Sequence, residues 1–386
     1  MDNDFYGVVY SMNYRKQKVD ASIGGSVNNY RGQHFGEVIW TGIAGSSEKG
    51  YRWYESIGTK PEFNVYTKLN YNLSPSLNAY GDLQLRNINY TIEGFDDDSR
   101  DISQHHHFLF FNPKFGINLI PNLENRLYAS FSIANREPNR SNFVDADPNQ
   151  PTPEYETLYD YEIGYHLSKK HFKSEINFFF MDYDNQLVLT GEINDVGAAI
   201  MTNVENSYRR GVELSVSVQS GKYFSWNGNM TLSQNKIINL NTYIDNWDYW
   251  YDPDNEVYQY ENELKETDIA FSPNITCSSF LTMSPLEDLN ISLQTKYVGM
   301  QYIDNTSSKD RKLDSWFVND LIFNYYLFDK NANELRLNFM IVNLFNHLYE
   351  SNAWVYRYYS EGIENSMDGY YPQAGIHLMS GLSIKF

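Results

Sequence analysis

Three stretches of the chain crowd aromatic rings together with charge, the combination that holds planar or anionic small molecules. Residues 243 to 260 contain Trp247, Tyr249, Trp250, Tyr251, Tyr258 and Tyr260 among Asp245, Asp248, Asp252 and Asp254. Residues 354 to 359 read WVYRYY, which sets Arg357 among Trp354, Tyr356 and Tyr358, and residues 40 to 54 carry Trp40, Arg52 and Trp53 with Tyr51 and Tyr54. Ring faces can stack on a planar ligand, and Arg52 and Arg357 can pair with an anionic chelate through their planar donors. The same residues suit a girdle at a membrane interface or loops packing on themselves, and both readings stay open. Catalysis finds no foothold: there is no GxSxG, HExxH, P-loop or Cys/His cluster, so no enzyme is expected. With 49 Asp and Glu residues, carboxylates close in sequence single out no acid and base.

Metal chemistry is weakly signalled. Asp145, Asp147, Asn149 and Glu156 fall at positions 1, 3, 5 and 12 of a calcium-loop spacing. Gln150 stands where that loop needs glycine, and Pro148, Pro151 and Pro153 oppose its geometry, so these four remain weak candidates and no metal or cofactor is expected. His105, His106 and His107 precede a strand, where neighbouring side chains point to opposite faces and cannot share one ion. His34 and His347 are isolated. Asp96, Asp97, Asp98 and Asp101 read as a solvated acidic loop, and Cys277 as a small apolar filler.

Composition limits what can hold these loops. The chain has 386 residues and a net charge of −19, which argues against nucleic acid as a partner. Mean hydropathy is −0.56 and no apolar run nears the roughly 18 residues of a spanning helix. Yet 16% of residues are aromatic, including 33 Tyr. A transmembrane barrel reconciles the two, since only alternate residues need be apolar; a Tyr-rich soluble β-protein is the other reading.

The alternation is plain in the last fifteen residues. From Ala374 the even positions run Ala, Ile, Leu, Ser, Leu, Ile and Phe386, and the odd ones Gly, His, Met, Gly, Ser and Lys. That predicts a strand over Pro372 to Phe386, apolar on one face. Similar units recur along residues 1–386, joined alternately by seven tight turns and seven long loops near residues 28 to 60, 92 to 106, 137 to 156, 188 to 202, 237 to 268, 303 to 312 and 346 to 371. Fifteen strands result. Strict alternation of short and long connections predicts an all-β, antiparallel up-and-down transmembrane barrel with short periplasmic turns and no second domain. Asp160, Glu162 and Glu213 then face its interior. An odd count leaves two unpaired edges, and the opening MDNDFYGVVY lacks a signal peptide, so the chain is expected to be part of something longer.

Residue strings then suggest a family. VNLFNHLY at 342 to 349, with the final strand ending in Phe386, resembles the C-terminal signature of TonB-dependent outer-membrane receptors. REPNRSNFVDAD at 136 to 147, LYDYEIGY at 158 to 165, MDYDNQLVLTGEINDVG at 181 to 197 and NSYRRGVELSV at 206 to 216 also resemble this family in its Bacteroidetes form. The resemblance implies a bacterial outer-membrane barrel of 22 strands, of which fifteen are here, the plug domain and TonB box being absent. It implies energised uptake of a large scarce nutrient, most often a ferric siderophore or other iron complex. The implied partners are membrane lipid, the TonB complex, the barrel-assembly machinery reading Phe386, and a surface lipoprotein. Glycan import and a plug-less porin or adhesion barrel are the alternatives.

Overall fold

The structure is a computed structural model that describes residues 1–42, 48–146, 151–193, 197–328 and 334–385. Nearly all of it is strand, as expected of a chain rich in β-branched and aromatic residues at alternate positions. Two compact units divide it: Met1–Asn118 with Ser130–Tyr159, and Leu119–Ala129 with Asp160–Phe386.

In unit 1 the elements are β1 (Asp2–Lys16), β2 (Val19–Glu37), β3 (Arg52–Ser74), β4 (Leu77–Gly94), β5 (Gln104–Asn122) and β6 (Asn125–Arg136), the last two shared with unit 2, followed by the short helix α1 (Arg140–Val144). β1 to β4 are antiparallel in unbroken succession, with Tyr30 opposite both Phe5 and Lys60, and Glu62 opposite Ile88. Which face is oily changes along a strand. On β3, Phe63, Leu69 and Leu73 are exposed while Asn64, Tyr66 and Lys68 take the other face. On β4, Leu83 and Leu85 are exposed on the odd face, but beyond Arg86 the apolar residues are even: Ile88, Tyr90 and Ile92, all buried. The pleat is continuous, so it is the surroundings that change. The lower stretch offers its odd face to lipid, and the upper stretch buries its even face against Phe143 of α1, with Phe108 and Phe110. Each fully buried Ile there contributes up to about 1.5–3 kcal/mol.

Unit 2 begins with β7 (Glu156–Lys169), β8 (Phe172–Ile193), β9 (Ala199–Ser220) and β10 (Phe224–Asn246), after which a 3-10 turn spans Trp247–Trp250. There follow β11 (Gln259–Asp268), β12 (Ile275–Leu286), β13 (Leu289–Val298), the short β14 (Gln301–Tyr302) and β15 (Lys312–Leu313), β16 (Trp316–Phe328) and β17 (Glu334–Val342). β18 (Glu350–Ser360), β19 (Ile363–Pro372) and β20 (His377–Lys385) end it. β10 pairs with β12 along its first half and with β11 along its second, so β11 prolongs the lane of β12. β18 and β19 form a hairpin, while β17 pairs directly with β20. The main sheet has 18 strands, and setting aside β11, β18 and β19 leaves the fifteen read from the sequence.

Three expectations need correction. Residues 346 to 371 are not an open loop: most form the β18–β19 hairpin, in which both faces find partners, so no single period marks it. Residues 28 to 60 and 237 to 268 are largely strand, because β2, β3, β10 and β11 run on past the stretch with a lipid-facing side. The last strand starts at His377, since Pro372 closes β19. The VNLFNHLY string explains that start. Asn343, buried and at positive φ, donates to the carbonyls of His347 and Ala374, and Asn346, also at positive φ, accepts from the Ile376 amide. Asparagine tolerates this left-handed backbone, and its amide side chain substitutes for missing ladder bonds. Phe386 lies outside the described residues.

Candidate functional site

The aromatic stretch at 243 to 260 and the WVYRYY stretch meet in unit 2. Asn246 ends β10 with its side chain accepting from the Asp248 amide, which starts the 3-10 turn and swings Trp247 onto the hairpin. Trp247 stacks on Tyr358 with centroids 3.9 Å apart, and its Nε1 donates to the Tyr356 hydroxyl at 3.2 Å. Tyr356 in turn donates to Asp245 Oδ2 at 2.7 Å, and Gln259 donates to Oδ1 of the same carboxylate. Burial, then the bond to Asp245, pushes the Tyr356 phenol above its ordinary range. Asp248 accepts from the amides of Glu361 and Gly362 at 2.8 and 2.9 Å, which pins the hairpin's tip. Alongside, Tyr249, Trp250 and Tyr258 pack edge to face, and Tyr260 meets Tyr359 at 4.5 Å. Trp250 and Tyr251 stay largely exposed. The cluster is a set of ring faces held by carboxylates that are already bonded.

Arg357 of the WVYRYY stretch is not at that surface. It is partly buried beside the buried Asp304, whose Oδ2 lies 3.8 Å from its Nε and 2.7 Å from Arg311 Nε, and both guanidinia also approach Glu364. Two Arg and two carboxylates close a network over Ile303, Leu313, Ala353 and Val355. Arg357 therefore braces the hairpin. Trp354 lies across the hairpin over Gly369, where a Cβ would meet its Nε1 at 2.3 Å.

In unit 1, Trp40 is exposed and Trp53 half exposed, the latter edge-on to Tyr54 at 4.7 Å. Arg52 lies over the Phe35 ring and pairs with Glu37 and Glu55, each at 3.2 Å. Close by in sequence to α1, and missed in the sequence, is a cleft lined by Tyr30, His34, Lys60, Tyr90 and Arg140. Its placement follows from a capping box in which Asn139 accepts from the Asn142 amide and Asn142 from that of Asn139, so that Arg140 starts α1. The Asn-x-x-Asn spacing in REPNRSNF was the available signal.

The three histidines of β5 point to two faces. His105 bonds Thr91 and His107 bonds Asn87 on one face of β5, whereas His106 stacks on Phe143 at 4.0 Å on the other. Glu156 is held by both Arg136 Nε and Nη2, and Asp147 and Asn149 lie outside the described residues. Among the described residues no three His, Cys, Asp or Glu side chains converge. The acidic loop is not wholly solvated. Asp96 is buried and accepts from the amides of Asp98 and Arg100 and from Arg100 Nε; burial alone would raise its carboxyl, but these donors outweigh it and the carboxyl sits below its usual range. It ties a turn.

A family model described as TonB dependent receptor-like, beta-barrel, matches residues 1–344. No curated protein matches the chain. Among solved structures it is similar to the ferric-catecholate import receptor Fiu from Escherichia coli K12 in its closed form, at 13% identity and a TM-score of 0.66, over 99% of this chain and 55% of that one. It is likewise similar to the siderophore receptor PiuA from Acinetobacter baumannii (13%, TM-score 0.67, 98% and 56%) and to the copper transporter OprC (13%, TM-score 0.72, 98% and 56%). The chain spans about half the length of these structures, and at such identity the likeness carries the fold. With the model match over most of its length, the antiparallel sheet and its lipid-facing stripes, the chain belongs to the TonB-dependent receptor β-barrel family of the bacterial outer membrane.

Proposed function

We propose that this chain is the barrel part of an energised receptor that takes up a large, scarce nutrient, an iron complex such as a ferric siderophore. The observation that carries the reading is the stack of Trp247 on Tyr358, flanked by Tyr356 and by the exposed rings of Trp250 and Tyr251. Such faces bind planar aromatic chelating groups without needing a free cation, which suits a site whose nearby arginines are occupied. Trp40, Arg52 and Trp53 in unit 1 and Tyr249 beside Trp250 are proposed as further contacts, with Trp354 and Arg357 supporting from within the hairpin. Likeness to a ferric-catecholate receptor and a siderophore receptor supports the iron reading, and likeness to a copper transporter sets its competitor. Energy would come from the TonB complex through a plug domain, and insertion from the barrel-assembly machinery acting on the C-terminal strand; a surface lipoprotein is a further proposed partner.

The test is tryptophan quenching of the full-length protein in detergent, titrated separately with a ferric tricatecholate, a copper(II) salt and a malto-oligosaccharide. Saturable quenching by the ferric complex, lost in Trp247→Ala, is expected. Saturation by copper or by the oligosaccharide alone would replace iron with that cargo.

A further inference from the structure

A second place in the molecule has chemistry of a different kind. The unit 1 cleft encloses about 580 Å³, within the roughly 300–1,000 Å³ of small-molecule sites. Behind and within it stand three cations, Lys60, Arg86 and Arg140, against two carboxylates, Glu62 and Glu137. The carboxylates are spent: Glu62 takes Arg86 through both oxygens, and Glu137 takes Lys60 at 2.5 Å and Arg86 at 3.5 Å. Arg140 is left over. Its Nη2 donates to Ser56 Oγ at 2.9 Å, a neutral partner, and its enclosed Nε has no acceptor among the described residues. A half-buried guanidinium with unused donors is costly unless something charged completes it, and its planar fork matches a carboxylate or phosphate. In a chain of net charge −19, a concave site with one surplus positive charge is a departure from the background.

We infer that this cleft binds a small oxyanion, the carboxylate or phosphate group of a diffusible molecule, with Arg140 as the principal donor, Lys60 as the second cation and Tyr90 as the aromatic wall. Lys60 already lies 5.5 Å above the Tyr90 ring, so the cation is oriented toward that wall. The inference does not depend on which cargo the aromatic cluster takes.

Isothermal titration of the full-length protein in detergent with citrate, and separately with inorganic phosphate, tests it. At least one anion should bind, with affinity falling as sodium chloride is raised, because the attraction is between charges. Arg140→Gln should weaken that binding by at least about threefold. Gly58→Asp supplies an independent arm. A Cβ at Gly58 meets nothing closer than Tyr90 Cε2 at 3.8 Å, so the variant should fold while placing a negative charge in the cleft, and it too should cost at least about threefold. Heat from neither anion, or a smaller loss in either folded variant, overturns the site; should Arg140→Gln fail to fold, Gly58→Asp decides alone. Binding of citrate only, phosphate only or both sorts carboxylate from phosphate recognition.

Discussion

The unit 2 cluster and the unit 1 cleft solve recognition in opposite ways. In unit 2 the carboxylates and guanidinia that hold the cluster and its hairpin are partnered within the protein: Asp245 with Tyr356 and Gln259, Asp248 with two backbone amides, Arg311 and Arg357 with Asp304 and Glu364. What remains to meet a ligand is ring surface. In unit 1 the rings of Phe143, Phe108 and Phe110 are buried and serve the fold, while a cation is left incompletely paired. The difference teaches that an aromatic-rich stretch and a charged stretch cannot be sorted into binding and scaffold by residue type. Arg357 looked like a ligand contact and is a brace; Arg140 looked like a family string and faces a cleft.

The contrast can be broken from the scaffold side. Phe143→Ala, which empties the space between Tyr90 and His106, should cost about 3–5 kcal/mol and expose β4 beyond Arg86 to proteolysis, seen as new cleavage near residues 88 to 102. In unit 2, Asp304→Ala leaves Arg311 without its closest acid and should cost about 3 kcal/mol, less if Glu364 swings to compensate. Hydrogen exchange would then report loosening of β18 and β19 while β16 and β17 stay protected. A smaller effect is expected of Trp247→Ala, about 0.5–1.5 kcal/mol for the lost stack beyond area, read by hairpin exchange without ligand.

A pH titration should divide the regions most finely. The fold raises the Tyr356 pKa, so it favours the neutral phenol that donates to Asp245. That contribution is complete below the ordinary tyrosine value of about 10 and is lost as pH rises through the raised value. Exchange protection of the hairpin should therefore fall only in the alkaline limb, and Tyr356→Phe should remove that limb. At the other end, the lowered Asp96 carboxyl contributes above the ordinary carboxylate range and is lost as pH falls through its depressed value, so the turn at 96 to 100 should loosen in acid. Loosening of both segments in the same limb would show that these contacts do not govern them.

Much of the wall was legible because lipid imposes a period of two. Leu83 with Leu85, and Leu378 with Leu382 and Ile384, carry a pattern no helix would share, and tight turns such as the one at Ser74 and Pro75 mark the ends. The site was legible only in part. Trp247, Tyr356 and Tyr358 were singled out by type, but their meeting was not: residues 247 and 356 are joined by contacts across more than a hundred positions. The hairpin itself was read as loop because its faces are covered by different neighbours. Trp354 rests on Gly369, Val355 enters the cluster around Ile303, and Arg357 turns to Asp304, so apolar and polar residues do not alternate cleanly.

By itself, then, the sequence determined fifteen of the eighteen strands of the main sheet, the tight turns between them and the family, since each depends on neighbours within a few residues and on a lipid solvent that is the same everywhere along the wall. Tertiary structure decided which aromatic rings remain for a ligand and which cation is left incompletely paired. Those outcomes depend on partners distant in the chain, such as Asp304 for Arg357 and Ser56 for Arg140, and pairing of that kind is settled only when the chain has folded.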